Sequence, residues 1–150
     1  MKTRNEITID ADRATVWREF DNPDNLCKWQ PTLKSFAHQS GTPGEPGSVS
    51  ILVYDENGRD VAMTETMTEK RAPDFMAGLY DSAWSKAIVV NHFESVEANR
   101  TRWVIHANHQ FKGLFRVMAL FLRRSIGRCT DDWMQRFRLL IETNAAVGSR

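Results

Sequence analysis

Residues 101–141 read TRWVIHANHQFKGLFRVMALFLRRSIGRCTDDWMQRFRLLI, and the hydrophobic period changes once within them, at Lys112-Gly113. Before that pair, Trp103, Ile105, Ala107 and His109 fall on one side of a period of two, the pattern of a half-buried strand. After it, Leu114, Met118, Phe121, Leu122, Ile126, Cys129, Trp133, Phe137, Leu140 and Ile141 recur at helical spacing. A helix of about thirty residues is not held in water by propensity alone, so this stripe must lie on something large. Gly127 sits mid-stripe, where it costs about 1 kcal/mol relative to alanine. It marks either a bend or a close approach of helix to neighbour.

Upstream, from residue 32 to residue 111, period-two segments alternate with turn chemistry. Leu33 to His38 reads as a strand, followed by the loop Gly41-Thr42-Pro43-Gly44-Glu45-Pro46-Gly47. Val49, Ile51 and Val53 alternate toward Asn57-Gly58, a pair suited to a tight hairpin turn. The return strand runs from Arg59 to about Lys70 and is broken by Ala72-Pro73. Shorter strands at 75–80 and 86–95 precede the one at 101–111. At the amino end, residues 3 to 9 alternate with Ile7 and Ile9 on one face. A first helix starts after Asp10 or Asp12 and carries Val16, Trp17 and Phe20. Asn22-Pro23 opens a second helix holding Leu26, Cys27 and Trp29, which Pro31 closes. The expected fold is therefore one α+β domain over residues 1–150, with a curved antiparallel sheet of six or seven strands around a long C-terminal helix and two short helices after the first strand: a helix-grip arrangement.

Composition narrows the function. The 20 basic and 19 acidic side chains leave a formal charge of +1, so no global field gathers nucleic acid or an anionic membrane, although local patches remain. Cys27 and Cys129 lack CxxC spacing and are expected as reduced, mostly buried thiols. The polar start Met-Lys-Thr-Arg-Asn-Glu does not open a signal peptide, and no apolar run approaches the ~20 residues of a membrane span. A cytoplasmic protein without stable membrane insertion is expected. No phosphate loop, zinc spacing or Ser/His/Asp constellation is present, and neither metal nor cofactor is expected. Five tryptophans and eight phenylalanines suit a core or an apolar cavity.

The order of elements, together with Ile7-Thr8-Ile9, Val16-Trp17, Asp21-Asn22-Pro23 and Trp29-Gln30-Pro31, resembles the START-like superfamily, also called SRPBCC, over nearly the whole chain. Within it, Arg71-Ala72-Pro73 and Thr101-Arg102-Trp103 look most like the polyketide cyclase/dehydrase and lipid-transport group. The resemblance implies a deep cavity between sheet and helix, used across the superfamily for lipids, sterols, polyketides and plant hormones. The superfamily shares no catalytic motif to carry over.

Strand parity then selects the residues that face such a cavity. Glu65 lies in the series Val61, Met63, Glu65, Met67, whose other members are apolar, so alternation turns its carboxylate inward, where burial would raise its pKa. His109 continues the face of Trp103 and Ile105, whereas His106 points to the opposite face and cannot share a metal with it. Either Asn91 or His92 faces inward, depending on the parity of the turn near Glu97-Ala98-Asn99; Asn91 is favoured because Phe93 needs a buried home. An inward His92 would instead assemble an acid-base or metal cluster with His109 and Glu65. Tyr80 and Trp84 suit an entrance rim.

The leading expectation is a binding protein for a small hydrophobic or amphipathic ligand, with apolar walls from Trp29, Met63, Met67, Phe93, Trp103, Ile105, Met118 and Phe121. Glu65, Asn91 and His109 would read its polar end. A second expectation is a cyclase or dehydratase using Glu65 as acid or base. A third is a co-chaperone-like interaction module through the surface from Leu114 to Leu122, which is apolar nearly all round and ends at Arg123-Arg124; the same segment also fits a lid, a homodimer contact or a surface that touches membrane during ligand exchange.

Overall fold

The computed structural model describes residues 1–148. Its strands are β1 (Lys2–Ile9), β2 (Leu33–Ser40), β3 (Val49–Glu56), β4 (Arg59–Arg71), β5 (Phe75–Ser82), β6 (Ser85–Glu97) and β7 (Arg100–Phe111). They form one antiparallel sheet in the order β1-β7-β6-β5-β4-β3-β2. Strands β2 to β7 are a meander, and β1 adds beside β7. The chain between β1 and β2 must therefore cross from one edge of the sheet to the other. It does so with α1 (Arg13–Phe20), a 3₁₀ turn (Pro23–Asn25) and α2 (Leu26–Trp29). The long helix α3 (Phe115–Gly148) completes the helix-grip α+β fold.

Local chemistry explains the short elements. Of the two candidate caps, Asp12 starts α1: its carboxylate accepts from the Thr15 amide at 2.9 Å and the Thr15 hydroxyl at 2.7 Å. Asn22 caps the 3₁₀ turn with Pro23 following, so the second expected helix is a 3₁₀ turn leading into a single α turn. Asn57 and Gly58 take φ of 56° and 79°, as a tight hairpin turn requires.

The turn that decides which face Asn91 takes is more informative. Glu97 pairs with Arg100, leaving the even two-residue loop Ala98-Asn99 that would by itself turn His92 inward. A bulge between Ser95 and Glu97 adds one residue to β6 and reverses that parity, so that Asn91 lies opposite Ile105 and Phe93 opposite Trp103. Asn91 and Phe93 are buried and His92 is exposed on the convex face.

The core is aromatic. Trp17, Phe20, Trp29, Phe93, Trp103 and Phe137 meet with ring centroids 4.8 to 6.3 Å apart, mostly edge-to-face or tilted. Full burial of each such side chain stabilises the fold by about 1.5–3 kcal/mol. Met134, Phe137 and Ile141 of α3 are fully buried here, and the Trp133 ring stacks on Tyr54 at 5.9 Å.

The amino-terminal part of α3 departs from expectation. Met118 is 51% exposed and Phe121 83%, so neither forms an inner wall. The face that continues inward from Phe137 passes through Thr130, Ile126, Leu122 and Ala119, all half-buried; Met118 and Phe121 project away from it at 3.6 residues per turn. The Gly-rich loop does not cover this end, being tied to β4 by Gly47 N–H to the Met67 carbonyl (2.7 Å) and Lys70 Nζ to the Gly44 carbonyl (2.8 Å). Cys27 and Cys129 are free and exposed, not buried, because both lie on outer sides of their helices. At Gly127 the carbonyl accepts from Asn5 Nδ2 on β1 at 3.1 Å. A Cβ there would meet nothing within 4 Å, so the contact does not itself require glycine.

Candidate functional site

A single register line crosses the concave face of the sheet. His109 lies opposite Ala87, Ala87 opposite Tyr80, Tyr80 opposite Glu65, and Glu65 opposite Ser50. Neighbouring strands are about 4.8 Å apart, so only the Ala87 methyl occupies the ~10 Å of sheet between His109 and Tyr80. The adjacent line holds Ala107, Val89, Gly78 and Met67. A Cβ on Gly78 would come within 3.2 Å of the Tyr80 ring, so the missing side chain lets that ring lie down against the sheet. Gly78, Ala87 and Ala107 thus make a low, buried floor, and polar groups rise at its sides. Met63, Glu65, Tyr80, Ile105, His109 and Phe111 around it are half-buried.

The electrostatics follow from that burial. Desolvation pushes the Glu65 carboxyl above its ordinary pKa, and a hydrogen bond from the Tyr80 hydroxyl opposes part of the shift. Tyr80 is held well above the usual phenol value, first by burial and then by the Glu65 charge and hydrogen bond. Burial likewise raises Tyr54, with Glu65 adding to the effect, and the Tyr54 hydroxyl donates to Gln30 Oε1 at 2.7 Å. His109 is depressed by burial and then by the amino-terminal ammonium, which donates to its carbonyl oxygen at 2.6 Å. Its Nε2 is buried without a hydrogen-bond partner among the described residues. The line therefore combines a carboxyl that keeps its proton unusually well, a phenol bonded to it and a neutral imidazole.

Other expected site residues separate from this group. Trp29, Phe93 and Trp103 belong to the packed aromatic core, and Trp29 Nε1 is buried without a partner among the described residues. Asn91 is inward, but its Oδ1 accepts from Trp103 Nε1 at 3.0 Å, so that acceptor serves the core. Met63 and Met67 flank Glu65 on the inner face, Met67 fully buried. Ile105 is partly buried against the aromatic cluster. A cluster of His92 with His109 and Glu65 does not form; His92 lies across the sheet, its ring 6.0 Å from that of His106 on the convex face. Among the described residues no group of three or more His, Cys, Asp or Glu side chains is placed to share a metal ion. Trp84 is at the rim, 5.9 Å from Phe115 at the start of α3. Tyr80, expected beside it, lies instead in the polar line. Its pairing with Glu65 depends on the β4–β5 register, which contains a bulge between Met67 and Glu69 that alternation does not reveal.

No family model and no curated protein matches the chain. Solved structures do. A START superfamily protein from Mycobacterium smegmatis superposes with a TM-score of 0.81 at 10% identity, covering 95% of this chain and 97% of that one. The Zhui aromatase/cyclase from Streptomyces sp. R1128 gives 0.72 at 12% identity, covering 93% and 95%. Ara h 8.0201 gives 0.73 at 14%, covering 95% and 98%. At such identities the likeness concerns backbone architecture. With the seven-stranded meander, the early short helices and the long closing helix already in place, the chain has the START-like (SRPBCC) fold.

Proposed function

We propose that the half-buried part of the concave face binds a small amphipathic molecule of the lipid or polyketide kind. Its apolar body would lie over Gly78, Ala87 and Ala107, and its polar group would meet the Glu65–Tyr80 pair, with His109 at the far side. One observation carries this reading: a polar line, in which His109 Nε2 is buried without a partner among the described residues, stands beside a floor of small side chains, Gly78, Ala87 and Ala107. Structures of the same fold that include a START superfamily protein and an aromatase/cyclase support it. The test is native purification followed by mass spectrometry of what co-purifies, with Glu65→Gln and Tyr80→Phe alongside. A stoichiometric amphipathic molecule held by the wild type and held more weakly by both variants is expected. An empty wild type that also fails to take up a fluorescent fatty acid saturably would end the proposal.

A second reading, a cyclase or dehydratase, is favoured by the Glu65 environment. A carboxyl with a raised pKa beside a phenol suits proton transfer to or from a carbonyl substrate. Single-turnover assays with a poly-β-ketone analogue separate the readings: catalysis predicts that Glu65→Gln binds the analogue yet leaves it unchanged.

A further inference from the structure

The balanced overall charge conceals a strong local imbalance. From Ala98 to Thr130 the chain contains no aspartate or glutamate and seven basic residues. Three of them, Arg100, Arg102 and Lys112, are paired with carboxylates on other segments. The other four, Arg116, Arg123, Arg124 and Arg128, are exposed on α3 and form no ion pair among the described residues. The contrast with the convex face is sharp, because Arg4, Arg13, Arg71 and Arg102 there are each matched to an acid. The positive charge of the amino-terminal part of α3 has no ion pair among the described residues, whereas farther along the helix Arg136 pairs with Asp132.

The same stretch carries the largest bare apolar side chains of the protein. Leu114 is 85% exposed and Leu120 87%, with Val117 and Phe121 nearly as open. Helical spacing places Leu114, Val117, Phe121, Arg124 and Arg128 on one outward stripe, opposite the packed one. That stripe is apolar for its first ~10 Å and then cationic, at a rise of 1.5 Å per residue. Beside it, an open groove of about 740 Å³ between the β1 edge and α3 is lined by Leu120 and Phe121, by the unpaired Arg123, Arg124 and Arg128, and by Arg4, which pairs with Glu6, and Asp131, which accepts from Asn5 Nδ2 at 2.7 Å. Apolar tips next to unpaired arginines match an acyl layer beneath anionic headgroups.

We infer that the amino-terminal third of α3 is a docking surface for an anionic phospholipid bilayer, with Leu114, Val117, Leu120 and Phe121 entering the interface and Arg123, Arg124 and Arg128 meeting the headgroups. Among the described residues no helix is long and apolar enough to cross a membrane, and the proposed attachment is a peripheral one. The surface adjoins the rim of the cleft through the Trp84–Phe115 contact, which puts a lipid source beside the proposed ligand site. The inference does not depend on that site being occupied.

The experiment is co-sedimentation of the full chain with vesicles of phosphatidylcholine alone and of phosphatidylcholine with phosphatidylglycerol, over a salt series. Binding to the anionic vesicles only, released by salt, is expected. Arg123→Gln/Arg124→Gln should lower the partition coefficient by roughly fivefold per arginine. Phe121→Ser should weaken binding with an unchanged circular dichroism spectrum and urea midpoint, since its side chain supports nothing in the fold. Equal binding to both vesicle types, absence of binding to either, or a solution dimer that Phe121→Ser dissolves in place of vesicle binding would each overturn the inference. Ligand co-purification by the same variants keeps this result separate from the fate of the cleft.

Discussion

The two ends of the concave face are built from the same strands yet differ in what the helix offers them. At one end, β6 and β7 present Phe93 and Trp103 to Phe137 and Ile141, and the space is filled. At the other, the same two strands present the small Ala87 and Ala107 beside His109, and the larger side chains around them are only half-buried. The inward side of α3 loses its aromatic rings correspondingly, passing from Phe137 and Trp133 to Thr130, Ile126, Leu122 and Ala119. Pocket and core are thus one surface graded by side-chain volume. Stability should reside at the packed end and ligand recognition at the half-buried end.

The largest expected effect tests the packed end. Phe137 is fully buried and its ring meets those of Phe20, Trp29 and Trp103. Phe137→Ala should cost about 3–5 kcal/mol by urea denaturation, the lost transfer energy plus a cavity among rigid rings that collapse poorly. A loss under about 1 kcal/mol would mean that the aromatic end is loosely packed and the contrast between the ends is false.

Next in size is Asn91→Ala. It removes the acceptor of Trp103 Nε1 and leaves a buried donor unpaired, at about 1–3 kcal/mol. If Asn91 served the ligand instead of the core, the variant would keep its urea midpoint and lose only affinity.

Glu65→Gln probes the half-buried end through pH. An acid whose folded pKa is raised binds its proton more tightly folded than unfolded. Its folded state is favoured at low pH and loses that advantage as pH climbs from the unfolded value through the raised folded one. The glutamine variant lacks this penalty, so its urea midpoint should gain on the wild type as pH climbs from the unfolded glutamate value of about 4.3 through the raised folded one, and then level off. A difference that does not change with pH would place the Glu65 carboxylate in water and dissolve the polar line.

What the sequence disclosed follows the same division. Element order, the Asn57-Gly58 turn, the Asn22-Pro23 start and the inward series Val61, Met63, Glu65, Met67 are local patterns, and local patterns are legible. The helix-grip fold follows from them. Alternation does not place Tyr80, because its partner is chosen by register across two strands, one of which carries a bulge. Nor does it separate Met118 and Phe121 from the inner wall, because an apolar residue at helical spacing looks the same whether it meets a sheet or solvent. The orientation of α3 is fixed at its far end, by Phe137 and Trp133, and propagates along the helix.

The smallest expected effect is at His92, and it depends on the bulge at Val96. Asn91 and His92 are adjacent in sequence and opposite in role because one added residue in β6 reverses the faces. His92→Ala should change stability by no more than about 0.5 kcal/mol, as surface substitutions do, and leave ligand affinity untouched. Deleting Val96 tests the cause. The deletion joins Ser95 to Glu97, so that Glu97 opposite Arg100 and Ser95 opposite Thr101 become consecutive pairs of a regular hairpin, with Phe93 still opposite Trp103 and Asn91 still inward. The variant should therefore fold with the native near-ultraviolet circular dichroism of the Trp103 environment. Loss of that signal would show that the number of residues between Phe93 and the turn does not by itself set the faces of β6.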